Sequence, residues 1–144
     1  MMNQNKNVLL AAIDNKKDQE DFLEALSSIH IRALVKFVES YSQLKEFLDS
    51  PVITPQPNLI LLVAELDEPS SMALIKDLKS REAVKKIPLV IVSKHHDEHQ
   101  LKSAYRLGAA SVIKHPTHFE SIVKILQIMD EYWFNTVKLP ISHM

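Results

Sequence analysis

The chain has 144 residues, 46% of them hydrophobic and 24% charged, with a formal net charge of −1; it suits one domain with one core and gives no electrostatic reason to expect a nucleic acid or membrane partner. The absence of cysteine excludes disulfides, thiolate metal sites and a cysteine nucleophile, and the single glycine, Gly108, excludes every Gly-rich phosphate loop. No window approaches a bilayer-spanning run of about eighteen apolar residues, and the start, Met1-Met2-Asn3-Gln4-Asn5, has no signal-peptide core, so a cytoplasmic protein is expected.

Residues 8–13 form a short apolar run ending in a polar cluster from Asp14 to Asp18, which reads as a strand and a helix start. Phe22, Ala25, Leu26 and Ile29 recur at helical spacing over 18–29. Residues 33–38 read as the next strand. Ser40 followed by Gln43 resembles a capping box opening a helix with Leu44, Phe47 and Leu48 inward. Pro51, Pro55 and Pro57 then mark a loop that feeds an extended segment. Residues 59–63 are unbroken apolar residues, the pattern of a central parallel strand buried on both faces.

Met72, Ile75 and Leu78 mark a third helix, begun near Ser70 and running toward Lys85. Residues 87–92 form another wholly apolar strand, with Ser93 at its C-terminal end and Pro88 tolerable only near its start. A His-rich connection leads to a helix carrying Leu101, Ala104 and Tyr105, with Gly108 placed as its C-cap. Residues 111–114 make a short fifth strand closed by His115-Pro116, and a final helix runs from about Thr117 to Phe134. Five alternating strand–helix pairs predict a flavodoxin-like, doubly wound (βα)5 domain: a five-stranded parallel sheet, order 2-1-3-4-5, with helices on both faces. One domain is expected over 1–144, its core about 7–134 and its tail 135–144.

Several stretches in this order resemble a CheY-like receiver domain of bacterial two-component signalling, closest to stand-alone regulators paired with phytochrome-type histidine kinases. They are Leu9-Leu10-Ala11-Ala12-Ile13-Asp14-Asn15, Pro57-Asn58-Leu59-Ile60-Leu61-Leu62, Ile87-Pro88-Leu89-Val90-Ile91-Val92-Ser93, and the run from Ala104 through Gly108 to His115-Pro116. The tail Tyr132-Trp133-Phe134 with Val137-Lys138-Leu139-Pro140 is similar to that subgroup's C-terminal signature.

The resemblance implies a phosphorylation site, and the site residues depart from it. The family uses a carboxylate nucleophile, a Mg²⁺ held by it and two further acids, a lysine, and a switch hydroxyl. Val63 stands at the acceptor position and has no nucleophilic atom. Ile13 replaces one of the acid pair and leaves Asp14 alone, while His115 replaces the lysine and Val112 the aromatic three residues before it. Ser93 alone keeps its identity at the switch. One carboxylate does not hold a hard cation that dehydrates reluctantly. Ile13, Asp14, Val63, Ser93 and His115 are therefore expected to form a vestigial pocket, without catalytic residues, metal or cofactor. Neither Val63 nor Ile13 carries charge, so neither mimics a phosphoaspartate.

Other groupings weigh less. His95 and His99 sit four apart, but no further spaced ligand follows, and a solvated helix start with Asp97 and Glu98 in its first turn is the better account. Glu65, Asp67 and Glu68 lie near Val63 but would have to reach back to act as acceptors. A flavodoxin-like cofactor binder is disfavoured by Asp14-Asn15-Lys16-Lys17-Asp18, which offers no phosphate cradle.

In the last helix, Phe119, Ile122, Val123, Leu126, Met129 and Trp133 form the core stripe, and Ile125, Ile128 and Tyr132 a second one beside it. The arc exceeds the roughly 100° a surface helix buries. It predicts a homodimer interface, unless Leu139 and Ile141 fold back over it. The sequence thus points to a pseudo-receiver acting through a histidine kinase or another receiver-binding protein and through itself.

Overall fold

The computed structural model describes residues 7–50 and 56–139. Five parallel strands, β1 (Asn7–Ile13), β2 (Ala33–Val38), β3 (Leu59–Val63), β4 (Leu89–Ser93) and β5 (Ser111–Lys114), lie in the order β2-β1-β3-β4-β5. Five helices connect and follow them: α1 (Lys16–Ser27), α2 (Tyr41–Asp49), α3 (Pro69–Ser80), α4 (Glu98–Leu107) and α5 (Phe119–Glu131). This is the flavodoxin-like architecture and strand order that the alternating pattern predicts. Among the described residues no helix is long and apolar enough to cross a membrane.

The strands at the sheet centre are wholly apolar because both their faces are covered. Leu10, Ile60, Leu62 and Ile91 pack with Leu44, Leu74, Ile75, Leu78 and Ala104 from α2, α3 and α4. The alternate residues Leu9, Ala11, Ile13, Leu61, Val63, Val90 and Val92 pack with Phe22 and Ala25 of α1 and Ile122, Leu126 and Met129 of α5. Each fully buried Leu or Ile contributes about 1.5–3 kcal/mol. The β1–β3 junction is fixed at its start by Asn58, which is buried: its Oδ1 accepts the Val8 N–H (2.9 Å), and its backbone N–H donates to Val8 O (3.0 Å). Pro57 is buried just before it; Pro51, Pro55, Pro140 and Ile141 lie outside the described residues.

The helix caps explain the boundaries. The Asn15 side chain caps α1 through the Asp18 N–H (3.0 Å), so α1 begins at Lys16 rather than near Asp18. Ser40 caps α2 through the Gln43 N–H (3.1 Å), while the Gln43 side chain reaches back to Glu39 N–H (2.8 Å), one residue before the cap. Asp97 and Gln100 form a full capping box at α4, so Asp97 is the cap itself rather than a first-turn acid, and His95 and His96 precede the helix. Gly108 caps its far end at φ 122°, where a Cβ would meet Lys79 Cε at 3.0 Å.

Two helices end earlier than the periodicity predicts. α3 stops at Ser80 because Arg81 turns extended, its guanidinium held by Asp77 and Asp49, and Lys79 Nζ donates to the carbonyls of Lys85 (3.0 Å) and Ile87 (2.9 Å). α5 stops at Glu131 and continues as a wider π-helical turn over Tyr132–Thr136, in which Val137 N–H donates to Tyr132 O (2.9 Å).

Candidate functional site

At the C-terminal ends of the strands, a cleft of about 340 Å³ is lined by Asp14, Asn15, Asp18, Tyr41, Val63, Ala64, Glu65, Glu68, Lys94 and His95. Its position follows from the topology, since β1 and β3 are neighbours whose following loops lead to opposite faces of the sheet. The apolar layer that Val63 belongs to is set by register. Ile13 pairs with Val63, Val63 with Val92, and Val92 with Ile113. These four β-branched side chains form one apolar rung across four strands, on the face covered by α1 and α5. Val63 is 4% exposed and Ile13 fully buried.

Of the five residues expected to form the pocket, only Asp14 and Val63 line the cleft. Asp14 is exposed. Ser93 is fully buried and its hydroxyl is committed: Oγ accepts the Leu66 N–H (3.1 Å) and lies 3.1 Å from His96 Nδ1. His115 faces inward beneath α1. Its Nε2 is 3.0 Å from Asp18 Oδ1, its Nδ1 is 2.8 Å from the Pro116 carbonyl oxygen, and the Phe22 ring meets it edge-on. A carbonyl can only accept, so Nδ1 carries a proton. The His115–Asp18 pair is nearly closed to solvent, the two residues being 5% and 6% exposed.

The carbonyls at the end of β1 are also taken. Gln19 Nε2 lies 2.8 Å from Ile13 O, 3.2 Å from Asp14 O and 3.0 Å from Glu39 O, so one amide ties together the turns after β1 and β2. The donor set does not fit a hard divalent cation: two of the family's three carboxylates are apolar here, and the nearby carbonyls already accept from Gln19. Among the described residues no three His, Asp or Glu side chains converge as ligands, and His95 and His96 turn instead to Glu65 and Ser93.

Burial pushes the Tyr41 phenol up from its ordinary 10.0 to about 12, with the Asp14, Glu68 and Glu65 carboxylates adding to the effect and the Ser71 hydroxyl opposing it. The sequence did not mark Gln19 or Asp18 as part of the site, and it offered Glu65 as a candidate acceptor without its docking onto Lys94 and His95. The only available signal was the polar character of each beside an apolar strand end.

At the other end of the chain, Ile128 is 57% and Tyr132 49% exposed, with the Tyr132 ring edge-on to Trp133. Ile125 departs from the stripe predicted for it: it is half-buried against the α1–α5 core, because α5 leans on α1. Leu139 is half-buried, and Ile141 lies outside the described residues.

No family model matches the chain. The response regulator Rcp1 of Synechocystis sp. (strain ATCC 27184 / PCC 6803 / Kazusa) is 28% identical over 87 residues, 60% of this chain and 59% of that protein, so the chain spans about three fifths of that curated relative's length. The crystal structure of the Mn(2+)-bound form of Rcp1 superposes with a TM-score of 0.78 at 25% identity, covering 93% of this chain and 99% of the other. The phosphorylated cyanobacterial phytochrome response regulator RcpA matches at 0.79 and 23% identity over 94% and 99% of the two chains. A regulator in red light signaling of R. palustris matches at 0.78 and 21% over the same shares. The last two likenesses speak for the fold.

Proposed function

Because this chain is a CheY-like response-regulator receiver domain, close to the phytochrome-associated Rcp1 group, we propose that it signals by binding, as a pseudo-receiver without aspartyl phosphorylation or catalytic activity of its own. The observation that carries this reading is the buried pair Ile13–Val63, at the two positions where the acceptor and one of its metal ligands would have to stand, within the apolar rung continued by Val92 and Ile113. A phosphoryl acceptor needs a nucleophilic oxygen, and a rung of four hydrocarbon side chains offers none. His115, spent on Asp18 and Pro116, brings no cation into the cleft, and Ser93 has its hydroxyl tied to Leu66 and His96.

On this reading the whole chain acts as one receiver-like unit, with its core over 7–134 and a tail over 135–144, working in the cytoplasm. Its partners are a histidine kinase or another protein that recognises receivers, and a second copy of itself. The exposed Ile128 and Tyr132 support the second partner, since two large apolar side chains one helical turn apart gain from being covered.

The test is incubation with acetyl phosphate and Mg²⁺ followed by intact mass measurement. The expected result is an unchanged mass. A Mg²⁺-dependent gain of one phosphoryl group would overturn the reading and assign the chain to regulators with a non-standard acceptor.

A further inference from the structure

Glu65 follows Val63 by two residues, in the turn between β3 and α3, and its side chain is half-buried. Its Oε1 accepts two consecutive backbone N–H groups of the turn after β4, those of Lys94 (2.9 Å) and His95 (2.6 Å), and lies 3.3 Å from His95 Nδ1. Successive N–H groups converging on one point form a concavity of positive potential that holds an anion. Around it the two turns are laced together: Ala64 N–H to Val92 O (3.0 Å), Leu66 N–H to Ser93 Oγ (3.1 Å) and Asp67 N–H to His95 O (3.0 Å).

We propose that the Lys94–His95 backbone is an oxyanion-binding nest whose ligand is the chain's own Glu65 carboxylate. Glu65 keeps small carboxylates and phosphate out and fixes the β4–α4 turn in one conformation. The inference deepens the pseudo-receiver reading and rests on it, since a site filled by a tethered side chain has no exchangeable ligand to respond to. Tethering matters because of the surrounding charge. Asp14 and Glu68 line the same cleft and repel a free anion, with the Lys94 and His95 side chains opposing them, while Asp18 is turned to His115. An attached carboxylate has a high effective concentration and outweighs that repulsion; a dissolved anion must overcome it unaided.

The test is residue-resolved amide exchange by NMR on the wild-type chain, E65A and E65Q. In the wild type, the Lys94 and His95 amides are slow, and neither sodium acetate nor inorganic phosphate moves them. In E65A both amides exchange about tenfold to a hundredfold faster, the loss expected for hydrogen bonds to a charged acceptor. Acetate, which replaces the atoms that E65A deletes, restores protection saturably at high concentration, and phosphate competes at the same two amides. E65Q, whose neutral carbonyl still accepts, lies between the two. Three results would each overturn the proposal: unchanged exchange in E65A, an E65A that responds to neither anion, or wild-type amides that shift as much as the variant's. Should E65A lose the fold, the wild-type and E65Q arms decide, because fast wild-type amides or an E65Q equal to wild type also defeat it. A failure of the pseudo-receiver reading looks different, being a covalent mass gain in the wild type with no requirement on these amides.

Discussion

The cleft above β1, β3 and β4 and the far end of α5 differ in what they leave unsatisfied. At the cleft, polar groups lie around an apolar layer, and several of those in and beside it are bonded inward: Glu65 to the β4–α4 turn, Asp18 to His115, Gln19 to the carbonyls of Ile13, Asp14 and Glu39, and the buried Ser93 to Leu66 and His96. At the end of α5, the polar groups are also tied, with Asp130 accepting both the Arg32 N–H (2.7 Å) and its guanidinium (2.9 Å), yet Ile128 and Tyr132 face outward. A surface whose polar groups bond within the chain has little left to offer a ligand. A surface with uncovered large apolar side chains still has free energy to gain from a partner. The address where receivers keep their chemistry and the exposed apolar pair Ile128 and Tyr132 are thus at different places on the molecule.

The largest way to break this contrast is to uncouple the cleft's internal bonds. His115→Ala leaves the Asp18 carboxylate buried without its partner and is expected to cost about 3–5 kcal/mol in denaturant unfolding. His115→Ala with Asp18→Leu should cost clearly less, since the stranded charge is gone. Equal losses would mean that the pair is not coupled.

Val63→Asp comes next. It places a carboxylate on a dry rung flanked by Ile13 and Val92 and is expected to destabilise by roughly 3 kcal/mol without conferring Mg²⁺-dependent phosphorylation by acetyl phosphate. A stable variant that gains phosphoryl mass would show that a single residue closes the site.

At the other region, Ile128→Glu with Tyr132→Glu should leave the stability of the folded monomer within about 0.5 kcal/mol, because both residues are about half exposed. It should nevertheless convert a dimer to a monomer in solution scattering. A wild-type monomer, or a dimer untouched by the two charges, would remove this face from consideration. Ile125 is a poorer probe, since its half-burial mixes packing with association.

The smallest effect is spectroscopic. Tyr41 titrates near 12, above its ordinary 10.0, so the stability tied to its neutral form is full below 10 and is lost as pH rises through 12. Lys79, held below its ordinary 10.5 by burial, acts with the opposite sign, so the measurement is a difference between wild type and Tyr41→Phe. The late tyrosinate step in the ultraviolet titration should vanish in the variant.

The strands were legible because burial on two faces leaves no room for alternation, and residues 59–63 carry that mark without any partner being known. The loss of acceptor chemistry was legible at Val63 and Ile13 for the same reason: a side chain without a nucleophilic atom lacks one in any fold. What was not legible depends on reach between turns distant in sequence. Asp18 and His115 are 97 residues apart, and Glu65 and His95 are 30 apart, and neither pair leaves a periodic trace. His115 read as a stand-in for a lysine, but its environment is set by α1 and not by the cleft. The ends of α3 and α5 escaped because Arg81 and Tyr132 continue a helical pattern that hydrogen bonding does not follow.

The wide turn at Tyr132–Thr136 has a consequence of phase. Bonds from i+5 to i take up about one residue more than an α-turn, and one residue is worth about 100° of rotation. The adjacent rings Trp133 and Phe134 both reach the core across that slack. The turn therefore works as a spacer that decides which way residues 137–139 leave α5. Removing one residue from it should swing residues 137–139 by about a quarter turn while the sheet stays as it is.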